Sequence, residues 1–304
     1  MSIIKLDGYN LSLEDLIKVS RFNHKVELTE NAVERIKKSR AIVDDLVENE
    51  KVSYGITTGF GKFSDVVISK KDTHKLQINL IRSHACGVGN PLSEEIVRAM
   101  MLLRINALSK GYSGIRLETL QILIDMLNKG VHPIVPEKGS LGSSGDLAPL
   151  SHMVLTMIGE GEAIYKGEKM SSKDALEKAG IKPLEYLSSK EGLSLNNGTQ
   201  CMTAIGAITA YDAINLMKTA DIALGLTMEG LNGITCAMDE RVNLVRPHKG
   251  QFNTANNVLE ILQGSEMTTE QGDLRVQDSY TLRCSPQVHG GCKDALQNNF
   301  LSSS

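Results

Sequence analysis

Apolar residues recur at helical spacing along most of the chain. Between Asn31 and Glu48, the residues Ala32, Val33, Ile36, Ile42, Val43, Leu46 and Val47 fall near one stripe, with Lys and Glu opposite. That spacing predicts an amphipathic helix. Ser12 opens S-L-E-D, a capping-box pattern ahead of a short helix. "SEEIVRAMMLLRINALSKG" starts with a cap and acids at Ser93 to Glu95 and stops at Gly111, and "LETLQILIDMLNKG" stops in the same way at Gly130. "MTAIGAITAYDAINLMKTADIALGL" is long, rich in alanine and poor in charge, so it reads as a central helix packed on most sides. Strand signal is sparse. "GEAIYKGEKMS" predicts one small hairpin turning at Lys166-Gly167. There is no β-α-β alternation and no internal repeat. The pattern therefore predicts a mainly α fold: a bundle of long helices with a loop-rich N-terminal portion and one small β-hairpin. The closing "NNFLSSS" is polar, weakly patterned and expected to fray.

Composition narrows the class. At 304 residues and 41% hydrophobic, the chain can bury a sizeable core in one or two domains. A net charge of -3, with no run of like charges, excludes the basic footprint of a nucleic-acid binder. The cysteines Cys86, Cys201, Cys236, Cys284 and Cys292 are odd in number and scattered. They read as reduced thiols of a cytoplasmic protein. The N-terminus has no apolar core of signal-peptide length. Asp212, Lys218 and Asp221 interrupt the apolar stretch from Thr199 to Leu226, so it predicts a buried helix and not a membrane span. No nucleic-acid or membrane partner is expected. The histidines His24, His74, His84, His132, His152, His248 and His289 show no H-x-x-x-H spacing, so no metal site is predicted.

The segment "GSLGSSGDLAPLSH", Gly139 to His152, supports three readings. One is a flexible Gly/Ser loop before a helix capped by Ser144 or Asp146. Another is a phosphate cradle at a helix N-terminus. Against it, the P-loop lysine is missing and Asp146 repels anions. The third is chemical. The Gly145 amide nitrogen attacks the Ser143 carbonyl carbon, since nothing on a glycine α-carbon blocks the bend. Two waters leave, the second taking the Ser144 hydroxyl. The product is an electrophilic exocyclic alkene, which no unmodified side chain supplies.

These residues resemble the prosthetic-group motif of the aromatic amino acid ammonia-lyases, G-S-x-G-A-S-G-D-L-A-P-L-S-H. That resemblance implies 4-methylidene-imidazol-5-one (MIO) built from Ser143-Ser144-Gly145, with no external cofactor. Ser143 departs from the family's usual alanine but contributes mainly its carbonyl. Other motifs agree. "YGITTGFG" (Tyr54 to Gly61) resembles Y-G-V-N-T-G-F-G and implies Tyr54 as the base that takes the substrate's β-proton, on a loop suited to a lid. Ser83-His84 resembles the pair in histidine-specific members, which implies His84 as the substrate-selecting residue. An imidazole there can hydrogen-bond a bound imidazole. "EGLSLNNGTQ" resembles E-G-L-A-L-x-N-G-T-Q and implies Asn197 beside the prosthetic group, with Asn196 in place of an apolar residue. Asn-Gly as a turn before the long helix is an equal reading. "VRPHKGQ" (Val245 to Gln251) resembles R-P-H-x-G-Q and reads as structural, at a helix boundary. "VQDSYTLRCSPQVHG" resembles Q-D-x-Y-S-L-R-C-x-P-Q-V-H-G. It implies Gln277 on the substrate, Tyr280 over the prosthetic group and Arg283 on the carboxylate, a role suited to guanidinium's planar fork.

The resemblance runs from about residue 3 to about residue 296 and points to the ammonia-lyase/aspartase-like helical bundle. It divides the chain at 1–196, carrying the MIO loop and the Tyr54 lid, and 197–304, the start of the central bundle. The implied reaction is elimination of ammonia from L-histidine to give urocanate, with addition of the electrophile either at the amine or at the ring. The implied assembly is a homotetramer. Another aromatic ammonia-lyase or aminomutase, or an inactive truncated fragment, is the alternative. The chain stops far short of the family's usual length, so apolar helix faces are expected to be left exposed and to drive association.

Overall fold

The computed structural model describes residues 3–59, 68, 70–141 and 145–301. Backbone packing divides the chain into two compact units, Met1–Ala207 and Ile208–Ser304.

In the first unit, β1 (Ile4–Leu6) and β2 (Val26–Leu28) pair in parallel on either side of α1 (Leu13–Ser20) in the sequence. The Ser12 hydroxyl caps α1 by accepting from the Asp15 amide at 3.1 Å. Thr29 caps α2 (Glu30–Glu48) in the same manner, through the Ala32 amide. Next come α3 (Lys70–His84), β3 (Val88–Pro91), α4 (Glu94–Ser109) and α5 (Leu117–Lys129). Ser93 caps α4. Gly130 ends α5 in the left-handed conformation at φ +76°, which favours glycine. Helix α4 is the centre of this unit, with α1, α2 and α5 packed on it. Its residues Met100, Met101, Leu102 and Ile105 are fully buried.

The elements β4 (Val131–Pro133), β5 (Pro136–Lys138), α6 (Leu147–Met157), β6 (Glu162–Tyr165), β7 (Glu168–Ser171), α7 (Ser172–Lys178) and α8 (Glu191–Asn196) complete it. The hairpin expected at Lys166-Gly167 is β6–β7, turning through left-handed φ values of 51° and 81°. It is not the only β structure. Strand β4 joins it as a third strand, β3 pairs with β5, and β1–α1–β2 is a small parallel crossover. These extra strands are three or four residues long, too short for alternation to show.

Helix α9 (Gln200–Gly230) starts in the first unit and continues into the second. In the second unit it is followed by a 3-10 turn (Thr235–Met238), α10 (Glu240–Leu244), α11 (Lys249–Ile261), α12 (Tyr280–Arg283) and α13 (Ser285–Leu301). "VRPHKGQ" spans the boundary between α10 and α11. Leu224, Met228, Met238, Ala255, Val258, Leu262 and Leu282 form the core here. Helices α11 and α13 meet where Gly250 and Gly290 leave room for neither to carry a side chain. Asp221, buried on α9, accepts from Asn257 on α11 at 2.8 Å, from His289 at 3.0 Å and from Lys293 on α13. Burial alone pushes its carboxyl upward, and these three donors outweigh that and hold it below the usual carboxylate range.

Helix α9 is not packed on most sides. Leu216, Ile222 and Leu226 are 66%, 52% and 63% exposed, and no element among the described residues covers that face. Among the described residues, no helix is long and apolar enough to cross a membrane.

Candidate active site

Ser143 and Ser144, two of the three residues expected to cyclise, lie outside the described residues. Gly145, the third, is described, and Leu141 pairs with it across an antiparallel bridge. Gly145 takes φ +94°, and a Cβ there would collide with the Gly198 carbonyl. The next amide, Asp146 N–H, donates to that same carbonyl at 2.6 Å. Glycine is thus required twice over at this position, by backbone conformation and by lack of space.

Asp146 sits at the N-cap position of α6 but does not cap it through its side chain. The fully buried carboxylate turns away instead. It accepts from the Ser140 hydroxyl and from the Met202 amide in the first turn of α9, the latter at 2.9 Å. The cap expected from Asp146 is therefore redirected to a different helix, whose N-terminal amides favour a negative charge. Nearby Cys201 is pushed up to about 12, by burial first and then by Asp146, so it is an inert thiol.

The same corner is tied to the end of α3. Gly87 donates its amide to His152 Nε2 at 3.0 Å. Burial lowers the His152 pKa and preserves that acceptor. Gly139 packs against Gly87, where an added Cβ would stand 3.1 Å from the Gly87 Cα. Three residues upstream of Gly87, half-buried His84 closes α3. Its Nδ1 lies 2.8 Å from the Leu80 carbonyl, which can only accept, and 3.0 Å from Ser83 Oγ. Nδ1 therefore carries the proton, and a neutral His84 presents Nε2 as a hydrogen-bond acceptor.

Asn197 ends α8 and is exposed, with its amide bonded to the Leu193 carbonyl at 3.0 Å. Asn196 is buried, and its amide reaches Ser151 Oγ on α6 at 3.3 Å. The polar replacement at 196 thus braces α8 against α6. Tyr54 lies in a turn and is 58% exposed, with Gly55 following at φ +69°. Phe60 and Gly61, the end of that motif, lie outside the described residues.

The remaining predicted residues belong to the second unit. Gln277 is exposed in the loop before α12. Tyr280 is 72% exposed, and the Arg283 guanidinium stacks over its ring at 4.2 Å while donating Nε–H to the Asp278 carbonyl at 3.0 Å. Buried Asp278 holds this stretch by accepting from Arg275 at 2.6 Å and from the Ile234 amide at 2.7 Å.

Sequence reasoning missed Arg104 and the Gly87–His152 bond, and it read Gly198 only as part of an Asn-Gly turn. Arg104 left a trace, as one of two arginines inside the apolar run of α4.

A family model described as aromatic amino acid lyase matches residues 11–299. The chain belongs to that family. It is 65% identical over 297 residues to a histidine ammonia-lyase of Alkaliphilus oremlandii, covering 98% of this chain and 58% of that one. Among solved structures, a histidine ammonia-lyase from Trypanosoma cruzi superposes with a TM-score of 0.87 at 37% identity, over 97% of this chain and 55% of that one. A Pantoea agglomerans phenylalanine aminomutase gives 0.91 at 36% identity, over 98% and 60%. Shape is thus shared across members with different substrates, and the chain spans under two thirds of the length of each. The residues around Gly145 suit the family's MIO group. Ring closure through the nitrogen of residue 145 needs a residue without a side chain, and the cradle formed with Gly198 admits none.

Proposed function

We propose that the chain carries the first part of a histidine ammonia-lyase, which converts L-histidine to urocanate and ammonia. The observation that carries this reading is the 65% identity to a histidine ammonia-lyase across nearly the whole chain. The geometry of His84 supports the choice of substrate. With Nδ1–H committed to Leu80, the Nε2 lone pair accepts an N–H from a substrate imidazole. A phenyl ring leaves that half-buried acceptor unpaired.

MIO formed from Ser143-Ser144-Gly145 supplies an electron-poor alkene, and Gly198 and Asp146 hold its glycine end. Tyr54 takes the β-proton. The Arg283 fork holds the substrate carboxylate, and Tyr280 steadies the guanidinium by stacking. Gln277 and Asn197 orient polar groups of the substrate. The working enzyme assembles as a homotetramer, and unpaired Cys86, Cys236 and Cys292, all exposed, suit a reducing, cytoplasmic setting.

The test is product analysis with histidine, phenylalanine and tyrosine, alongside the intact mass of the chain. Urocanate is the expected product, from a chain lighter than its sequence by two waters. His84→Phe is expected to lower kcat/KM for histidine by about 100-fold or more. Cinnamate or coumarate as the main product would replace this reading with another lyase or an aminomutase. An inactive piece is the second reading. An unmodified mass with no product would establish it.

A further inference from the structure

Helix α4 carries two buried arginines, and among the described residues neither makes an ion pair with a carboxylate. Arg98 bonds the Val19 and Leu127 carbonyls, at the C-terminal ends of α1 and α5. That is an ordinary role for a cation, which complements the negative end of a helix dipole. Arg104 lies six residues later. Its Nη2 donates to the Ser194 carbonyl in α8, and its Nη1 donates to Gln200 Oε1 at 2.9 Å. Its Nε is buried without a partner, and burial lowers the guanidinium pKa to about 10. A cation so costly to bury needs a reason beyond filling space.

The contacts supply one. Arg104 grips both ends of the segment 194–200, and Gly198 lies between them. A side chain on Gly198 would strike both Arg104 Nη1 and Gln200 Oε1, so the guanidinium closes directly onto the Gly198 backbone. The other side of Gly198 presents the carbonyl that accepts from Asp146 N–H and leaves no space for a Cβ on Gly145. Gly198 is thus clasped between Arg104 and the glycine end of the cyclising triad.

We propose that Arg104 is a positioning residue for the backbone ring closure, acting through Gly198 to hold the Gly145–Asp146 bend in its closing conformation. This rests on the reading that 143–145 cyclise. In that step a bond forms from Gly145 N to the Ser143 carbonyl carbon. The carbonyl oxygen leaves as water with the amide hydrogens of Ser144 and Gly145. A second water takes the Ser144 hydroxyl and its Cα hydrogen. Arg104 bonds Ser194 and Gln200, and through Gly198 it fixes where the Gly145 nitrogen stands.

The experiment compares Arg104→Met, Arg104→Lys and Arg98→Met with the parent chain. Three readouts are used: intact mass, hydrogen exchange at the Asp146 amide, and thermal unfolding. Arg104→Met is expected to remain mostly unmodified in mass, with Asp146 exchanging at least about tenfold faster, while Arg104→Lys falls between it and the parent. Arg98→Met is expected to unfold earlier yet keep both the mass deficit and the Asp146 protection. That control separates positioning from stability. A folded Arg104→Met with the full two-water deficit would overturn the proposal, as would unchanged Asp146 protection. So would a loss in Arg98→Met equal to that in Arg104→Met. If the parent chain carries an unmodified mass, the functional reading fails by itself, and Asp146 exchange still decides whether Arg104 holds the clasp.

Discussion

Helices α4 and α9 are written in much the same way, as long apolar runs broken by few charges. Their surroundings differ. Every large apolar residue from Met100 to Leu102 is fully buried in α4, whereas α9 leaves Leu216, Ile222 and Leu226 more than half exposed. The charges differ too. On α4, Arg98 and Arg104 are drawn inward and each donates to a carbonyl near a helix end, Arg104 also to the Gln200 side chain. On α9, Asp221 meets donors from α11 and α13. An apolar helix therefore states a demand for cover, but its sequence does not say whether its own chain supplies that cover.

The sharpest way to break this contrast is to open a cavity in α4. Leu102→Ala is expected to lower unfolding free energy by about 2–5 kcal/mol, the usual range for a fully buried leucine. Urea unfolding monitored by circular dichroism measures it. A loss below about 1 kcal/mol would mean that α4 is not the closed centre described above.

The same contrast explains what could be read without coordinates. The starts of α1 and α4 were legible because their caps are local: Ser12 and Ser93 each bond an amide three residues on. Helix α2 was legible from its apolar stripe, and its Thr29 cap was not read. The β6–β7 hairpin was legible for the same reason. Strand β4 was not, since its partner β6 lies some thirty residues away and gives a three-residue strand no periodic signal. Asp146 shows how local logic misleads. It stands where a cap should stand, yet its carboxylate serves Met202, brought to it only by the tertiary fold. The motifs mark Gly145, His84 and Asn197 as chemistry, but the clasp of Arg104 on Gly198 depends on helix packing and carries no local pattern.

A second, smaller effect probes α4 through its neighbour His132. This buried histidine on β4 faces Glu94 at the head of α4, with Nε2 2.9 Å from the carboxylate, and Arg98 on the same helix. Burial first, and then Arg98, lowers its pKa from 6.5 to about 4. The imidazole is thus neutral in the fold and donates Nε2–H to Glu94. Between pH 4 and 6.5 the unfolded chain binds a proton that the folded chain refuses, so stability rises with pH across that window. The contribution is complete above about 6.5 and lost as pH falls toward 4. It amounts to about 3 kcal/mol as an upper figure. His132→Gln keeps a donor toward Glu94 and removes the titration. Its stability deficit relative to the parent is expected to shrink on going from pH 7 to pH 4, and a constant difference would refute the assignment.

The smallest effect tests the other side of the contrast. Leu216 projects from α9 with 66% of its surface exposed, so truncation removes little buried area. Alanine is also the better helix former, which offsets part of any loss. Leu216→Ala is therefore expected to change unfolding free energy by less than about 0.5 kcal/mol when the chain is dilute. The measurement is made at two protein concentrations, because a face that is bare in one copy can be covered by another. Apolar area removed from water by a second copy would make the cost of truncation grow with concentration. A loss of 2 kcal/mol or more that persists on dilution would show that Leu216 is covered within the single chain, and the distinction between α4 and α9 would then disappear.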